Sequence, residues 1–133
     1  MSSTTTRISP SERLAGILPD VEIAAISPVI EEIEELKQQR NAVILAHNYM
    51  TPDIYHGVAD LRGDSLALAR MAVDTEADII VMAGVHFMAE TADILSAPHQ
   101  KVILPNITAG CSMADMARTE DVLDCWDDII ETL

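Results

Sequence analysis

Five consecutive apolar residues, Ala42-Val43-Ile44-Leu45-Ala46, are followed directly by the polar residues His47, Asn48 and Tyr49. A short continuous apolar run is typical of a parallel strand that is buried on both faces of a sheet. The run therefore predicts a first strand. The polar residues that follow it then lie where the chain leaves the sheet.

Two similar apolar runs occur further along the chain, at Ile79–Met82 and Val102–Leu104. Helical periodicity precedes them, as in the apolar residues that recur between Leu66 and Ala72. Alternating strands and helices predict βαβ units, whose crossovers place helices over both faces of a parallel sheet. The predicted fold class is α/β, a three-layer α/β/α sandwich around a short parallel sheet.

Further helices are predicted before and after these strands. A helix is expected to start at Ser27, because serine is a preferred N-cap and Pro28 suits the first helical position. Apolar residues at helical spacing continue it to Leu36. A final acidic helix is predicted from about Thr119 to Leu133, with an apolar stripe that includes Trp126.

Length and composition fit one domain. The 133 residues, 49% of them hydrophobic, suffice for a single core. The Ser/Thr-rich start lacks the apolar segment of a secretory signal. Residues 1–26 are predicted to form a flexible leader and the segment that leads up to the domain. Residues 27–133 are predicted to form the single α/β domain. With only three predicted strands, its sheet is expected to be unfinished and to expose apolar surface.

The charge balance argues against two classes of partner. The 22 acidic and 8 basic side chains give a net charge of −14, which repels nucleic acids and anionic lipid surfaces. Apolar runs such as Ile79–Ala89 are too short to cross a bilayer, which takes roughly 18 to 20 residues. We expect no nucleic acid, no membrane and a cytoplasmic location. The acidic excess is equally compatible with a surface adapted to high salt.

The two cysteines, Cys111 and Cys125, fit neither a multi-disulfide framework nor a Cys-x-x-Cys metal site. Cys111 follows the third strand and precedes a short helical segment, Met113–Met116, whose field favours the metal-binding thiolate. A buried cysteine acting as a small hydrophobic residue would have the same local sequence. Cys125 lies within the final helix and is expected to be structural.

The strand-to-helix loops should gather at the carboxyl edge of the sheet, where open parallel sheets bind ligands. His47 and Tyr49 would place there a group that titrates near neutral pH and a phenol. Such a pair can exchange protons with a carbonyl or an imine. The alternative is that both are structural polar residues packed at a strand end.

The segment Gly63-Asp64-Ser65 opens the next predicted helix, with Asp64 as a natural N-cap. Ser65 then lies in the first helical turn, where free amides attract anions and its hydroxyl adds a donor for a carboxylate or phosphate. An ordinary helix cap would explain the same residues. The local sequence leaves both interpretations open.

Taken together, four segments resemble the quinolinate synthase family (quinolinate synthetase A) in their order and spacing. The resemblance runs from about Ser27 to Met116, and the strings Phe-Met-Ala-Glu-Thr-Ala and Gly-Cys-Ser-Met-Ala-Asp-Met are its most specific parts. The four segments are Ala46-His47-Asn48-Tyr49, Gly63-Asp64-Ser65-Leu66, Gly84 to Ala92 and Ala109 to Met116.

The resemblance implies a transferase-type enzyme of NAD (pyridine nucleotide) biosynthesis that condenses iminoaspartate with dihydroxyacetone phosphate to quinolinate. It further implies three similar α/β domains, each giving one cysteine to a [4Fe-4S] cluster whose open iron acts as a Lewis acid. By that resemblance Cys111 is the first cluster ligand and His47 a catalytic, substrate-contacting histidine. Tyr49 is a catalytic tyrosine of proton transfer, and Ser65 binds a substrate carboxylate.

Family members are more than twice as long as this chain, so the other two cluster cysteines are expected beyond residue 133. Cys125 is not expected to replace them, because it falls on a helix where the family has no ligand. The expected partners are the remaining two domains, or a chain carrying them, and the enzyme that supplies iminoaspartate. The alternatives are a catalytically silent α/β domain that binds a small carboxylate or phosphate ester, and a subunit completed by a separate chain.

Overall fold

A computed structural model of the chain describes residues 8–132, so residues 1–7 of the predicted leader and Leu133 lie outside the described part. A π-helical turn, Asp53–Val58, lies between the first two strands. The other elements, in chain order, are α1 (Pro10–Leu14), α2 (Asp20–Gln39), β1 (Ala42–His47), β2 (Leu61–Gly63), α3 (Ser65–Asp74), β3 (Ile79–Ala83), α4 (His86–Leu95), β4 (Lys101–Ile103), α5 (Ser112–Asp115) and α6 (Thr119–Thr132).

The strands form one four-stranded sheet in the order β2-β1-β3-β4, and every neighbouring pair is parallel. The three predicted strands correspond to β1, β3 and β4. Helices α3 and α4 pack on one side of the sheet, and α1, α2 and the π-helical turn pack on the other. The predicted three-layer α/β/α architecture around a parallel sheet is confirmed.

One side of the sheet, which we call the closed face, is covered by α3 and α4. Leu45 of β1 and Ile80 and Met82 of β3 point to this side and are at most 1% exposed. They pack against Leu68 of α3 and Met88 of α4. Burial of several large apolar side chains makes this face the main stabilising core, at roughly 1.5 to 3 kcal/mol for each fully buried side chain.

The other side, which we call the open face, is only partly covered. Ile44 of β1 packs there against Ile23 and Ile30 of α2 and against Leu14 of α1. Beyond α2, the strands β3 and β4 border an apolar groove of about 560 Å³. Its lining includes Ile33 and Leu36 of α2, Ile79 and Val81 of β3, Ile103 of β4, and Pro105.

The predicted helix start at Ser27 is wrong, because α2 begins seven residues earlier, at Asp20. Pro28 lies inside the helix, where it cannot donate a backbone hydrogen bond, and the Ser27 hydroxyl donates to the Ile23 carbonyl at 2.6 Å. An interior proline costs about 3 kcal/mol. Burial of the apolar stripe that begins at Ile23 offsets this cost. Whether the chain divides into leader and domain at residue 27 stays a prediction.

The sequence did not predict β2, a three-residue edge strand without an apolar run. Its pairing places Leu61 opposite Leu45 and Gly63 opposite His47. The start of α3 therefore follows a strand of the same sheet, directly beside the end of β1. This places Ser65 next to His47.

An ion cluster around the buried Lys37 side chain links α2 to the start of β2. The Lys37 ammonium donates to the Asp60 carboxylate at 2.7 Å, to the Val58 carbonyl at 3.1 Å and to the Glu34 carboxylate at 3.3 Å. The other Asp60 oxygen accepts a hydrogen bond from the Ile44 amide at 2.8 Å. These contacts satisfy a charge that would otherwise be costly to bury.

Beyond β4, residues 105–132 contain α5 and α6. The predicted final helix is confirmed as α6, yet all of its side chains, including Trp126, are exposed. The predicted Met113–Met116 segment corresponds to α5, one position earlier in the chain. Within residues 8–132, no helix is long and apolar enough to cross a bilayer.

Candidate active site at the carboxyl edge of the sheet

His47 is the last residue of β1 and stands at the carboxyl edge of the sheet, half-buried. Its ring packs against the Tyr49 ring, with 3.9 Å between the ring centroids. The backbone turns sharply after β1, because the Met50 amide donates to the His47 carbonyl at 3.0 Å. This turn brings the two predicted proton-transfer residues together.

Two contacts define the tautomer of His47. The Tyr49 backbone amide donates to Nδ1 at 3.3 Å, so Nδ1 acts as an acceptor. A neutral imidazole then carries its proton on Nε2, which lies 3.4 Å from the Ser65 hydroxyl. The Nε2 proton therefore faces the start of α3. A third predicted residue, Ser65, thus joins His47 and Tyr49.

Ser65 is the first residue of α3, and its N-cap is Asp64, whose carboxylate accepts from the Ala67 amide at 2.8 Å. The predicted capping role of Asp64 is confirmed. The Ser65 side chain does not make the cap contact and stays exposed at the helix N-terminus. Its hydroxyl and the helix dipole can therefore both act on an anion beside His47.

The residue Tyr49 is 51% exposed, and its hydroxyl lies 3.8 Å from the Met88 sulfur. Partial burial raises the pKa of this phenol above its ordinary value. The Val85 backbone lowers the pKa, and the charge of Cys111 raises it further. Tyr49 therefore holds its proton at neutral pH. The influence of Cys111 indicates that the loop after β4 lies near the phenol.

Cys111 is half-buried at the N-cap of α5, on the loop that follows β4. The Ala109 carbonyl accepts from the His86 amide at 2.8 Å, which ties this loop to the first residue of α4. Cys111 therefore lies at the same edge as His47 and Tyr49. Cys125 lies instead on the exposed face of α6.

The loop after β3 adds two residues for which the sequence offered only a weak signal. A side chain at Gly84 would meet the Met88 sulfur at 3.0 Å and the His47 Cβ at 3.9 Å, so a glycine allows the loop to pass close to both. Met88 looks like an ordinary core residue of an amphipathic helix. Its role under Tyr49 depends on tertiary contact, and only Gly84, directly after a strand, hinted at a close approach.

The described residues include no group of three or more His, Cys, Asp or Glu side chains arranged to hold a metal ion. Cys111 therefore offers a single thiol group at this edge. A thiolate at the N-terminus of a helical turn suits one corner of an iron-sulfur cluster, and the other ligands would have to come from outside residues 8–132.

Comparison with known proteins gives the same family as the motifs. A family model described as "Quinolinate synthetase A protein" matches residues 31–132. The chain is 57% identical over 111 residues to a quinolinate synthase of Agrobacterium fabrum, covering 84% of this chain and 32% of that protein. It is 64% identical over 93 residues to a quinolinate synthase of Xylella fastidiosa, covering 70% of this chain and 27% of that protein. The chain thus spans about a third or less of these relatives.

Proposed function

The chain belongs to the quinolinate synthetase A family, and we propose that it forms the first domain of a quinolinate synthase that acts in NAD biosynthesis. The observation that carries the proposal is the convergence of His47, Tyr49 and Ser65 at one sheet edge, with Cys111 on the loop after β4. The proposed reaction condenses iminoaspartate with dihydroxyacetone phosphate to quinolinate, with loss of phosphate and water. It takes place in the cytoplasm.

His47 and Ser65 form the substrate-binding side of the proposed site. A carboxylate placed at the start of α3 would accept hydrogen bonds from the Ser65 hydroxyl and from the Nε2 proton of His47. The dipole of α3 adds to this attraction. An imidazole nitrogen can donate or accept a proton, so His47 can also pass a proton to or from the bound substrate.

Tyr49 is the proposed general acid. Its raised pKa keeps the phenol protonated, and its position beside His47 places that proton over the same substrate. Condensation at a carbonyl, followed by loss of water, needs a proton delivered to the departing oxygen. The Met88 sulfur, 3.8 Å from the phenol oxygen, contacts the phenol in this position.

Cys111 is the proposed cluster ligand of this domain. When bound, a [4Fe-4S] cluster would supply an open iron that acts as a Lewis acid on the substrate. This chain's own part is to present the Cys111 thiolate at the edge that holds His47 and Tyr49. The remaining two domains, or a chain that carries them, are the proposed partners that supply the other two thiolates.

A chimaera tests the proposal. Residues 31–132 of this chain replace the matching segment of the Agrobacterium fabrum quinolinate synthase, and quinolinate formation is measured without oxygen. We expect turnover within about tenfold of the relative, since the proposed groups are all present. A folded chimaera with a full complement of iron but no turnover would refute the proposal.

Variants of the chimaera separate the proposed roles. Cys111→Ser should abolish the cluster, whereas His47→Ala and Tyr49→Phe should keep it and lose turnover by roughly a hundred- to ten-thousand-fold. Ser65→Ala should mainly weaken substrate binding, by about 1.5 to 3 kcal/mol, because it removes one hydrogen bond to a charged group. Iron content, brown absorbance, turnover and Michaelis constant of each variant provide the measurements.

A second candidate function follows from the exposed Ser65 hydroxyl at the start of α3. The chain would then be a catalytically silent α/β domain that holds a small carboxylate or phosphate ester. Calorimetric titration of the chain with such anions, compared with Ser65→Ala, tests this hypothesis. A neighbouring reading frame that encodes two cluster cysteines would favour instead a subunit completed by a separate chain.

A further inference from the structure

A network of polar contacts connects the π-helical turn to the residue between His47 and Tyr49. The Tyr55 hydroxyl donates to the side-chain carbonyl of Asn48 at 3.4 Å. Asn48 stands between the two proposed proton-transfer residues, and its backbone amide donates to the Gly63 carbonyl at 3.0 Å. The turn after β1 is therefore held both from the sheet and from the π-helical turn.

Arg62 of β2 holds the other end of this network. Its guanidinium donates to the Tyr55 carbonyl and, at 3.0 Å, to the Ala59 carbonyl. The same guanidinium lies over the Tyr55 ring, with its central carbon 5.3 Å from the ring centroid. One side chain thus contacts both the backbone and the ring of Tyr55, which restrains the position and the orientation of the phenol.

The backbone explains why a side-chain donor is needed at this point. In a π-helix each amide donates to the carbonyl five residues earlier, as the Ala59 amide does at 3.1 Å at the end of this turn. The next amide, that of Asp60, donates instead to the Ile44 carbonyl of β1 at 2.9 Å. The Tyr55 carbonyl therefore loses its backbone donor to the sheet, and the Arg62 guanidinium replaces that donor.

The alternation of side chains along β2 sends Arg62 toward the π-helical turn. Leu61 packs against the core of the closed face, and successive side chains of a strand point to opposite faces, so Arg62 points to the open face. Although the chain has 22 acidic side chains, none within residues 8–132 forms an ion pair with Arg62. Its donors serve the π-helical turn.

We propose that Tyr55 and Arg62 are positioning residues of the candidate active site, a role that rests on the proposed function. Arg62 holds the phenol of Tyr55, and this phenol holds Asn48. The turn at Asn48 presents the Tyr49 amide to Nδ1 of His47 at 3.3 Å, which keeps the imidazole proton on Nε2, toward the proposed substrate. Neither positioning residue needs to touch the substrate for this effect.

The tautomer of His47 in the full chain provides a test that needs no activity. Heteronuclear NMR distinguishes the two tautomers of a histidine ring, and mildly alkaline buffer keeps the rings neutral. In Tyr55→Phe, the fraction of His47 with its proton on Nδ1 should rise about threefold, because the turn loses a hydrogen bond. His86 and His99 lie outside the network and should keep their tautomers. An unchanged His47 tautomer would overturn the proposal.

The chimaera measures the effect on turnover. At 3.4 Å the bond from Tyr55 to Asn48 is longer than the usual distance of about 2.8 Å between two oxygens, so Tyr55→Phe and Asn48→Ala should each lower kcat only about threefold. The double variant should also lose about threefold, because both changes remove the same bond, whereas independent effects would multiply to about ninefold. A ninefold loss, or no loss in either single variant, would overturn the proposal.

A larger effect is expected from the arginine. Arg62→Met should lower kcat about tenfold, because two carbonyls and the Tyr55 ring lose a charged partner. KM should change less than about twofold, because the Asp64 cap that begins α3 lies outside the network. Arg70→Met is the matched control, since it removes the same charge from an exposed position on α3, and it should leave kcat unchanged. Equal kcat values in the two arginine variants would overturn the proposal.

The two measurements separate the positioning role from the proposed function. If the chimaera without further changes is inactive, the proposed reaction is contradicted, and the tautomer of His47 in the full chain decides the positioning role. If Arg62→Met does not fold, as judged by circular dichroism, Tyr55→Phe and Asn48→Ala decide the effect on kcat.

Discussion

The two faces of the sheet differ in how completely they are covered, although they share the same four strands. The crossovers from β2 to β3 and from β3 to β4 both place their helices, α3 and α4, on the closed face. The open face is covered by α1, α2 and the π-helical turn, which lie over β1. A side chain on β3 is therefore fully buried or half-exposed according to the face to which it points.

The candidate site depends mainly on the closed face. Met88, which contacts the Tyr49 hydroxyl, belongs to the closed-face cluster, and so does Leu68 of the helix that carries Ser65. The open face contributes less to the site, and its ion cluster at Lys37 links α2 to the start of β2. The difference shows that the side chains packed around the candidate site come mainly from one layer of the fold.

The strongest test of the difference between the two faces uses two neighbouring isoleucines of β3. Ile80→Ala on the closed face should lower the free energy of unfolding by about 2 to 5 kcal/mol, because it leaves a cavity among fully buried side chains. Ile79→Ala is the matched control, since half-exposed Ile79 lines the groove and loses less contact. Urea unfolding measures both. Equal costs would show that the open face is as tightly packed as the closed one.

A medium effect is expected from the ion cluster that holds α2 on the open face. Lys37→Met should cost about 1 to 3 kcal/mol, because Asp60 and the Val58 carbonyl lose a charged donor. The Asp60 side chain is 36% exposed, so water offsets part of this loss. Lys101→Met, at the only other lysine, is the control and should change stability little. Thermal melting measures both variants. Equal melting temperatures for Lys37→Met and Lys101→Met would contradict the structural role of Lys37.

A smaller effect is expected on the pKa of Tyr49, which lies at the edge where the closed face meets the candidate site. In a Tyr55→Phe background, the phenolate absorbance reports only Tyr49. The charge of Cys111 raises the pKa of Tyr49, and Cys111→Ser removes this contribution. The Tyr49 titration should move to lower pH. An unchanged titration would mean that the loop after β4 lies farther from Tyr49 than the structure indicates.

No effect on stability is expected at Cys125, which belongs to neither face. Its side chain lies on exposed α6, so Cys125→Ser should leave the unfolding transition unchanged, and in the chimaera it should leave iron content unchanged. Cys111→Ser provides the contrast for iron content. Loss of iron in Cys125→Ser would overturn the assignment of the cluster thiolate.

The apolar runs of β1, β3 and β4 predicted the sheet because each is long enough to show the continuous apolar pattern of a strand that is buried on both faces. The strand β2 was missed because three residues at a sheet edge carry no such pattern. The start of α2 was misplaced because Ser27 and Pro28 have the local preferences of a helix start. Packing of the longer Ile23 to Ile33 stripe against the sheet outweighs those preferences.

For the site, the sequence by itself determined which chemical groups stand at the strand ends, because parallel strands bring their carboxyl ends to one edge. His47, Tyr49 and Cys111 were predicted at this edge in this way, whereas Ser65 was predicted from the helix start after Asp64, and the family motifs gave all four their expected roles. Only the tertiary structure decided which groups touch. The pairing of β2 with β1 placed Ser65 beside His47, and the packing of α4 placed Met88 under Tyr49. Such contacts join residues far apart in the chain, so no local pattern encodes them.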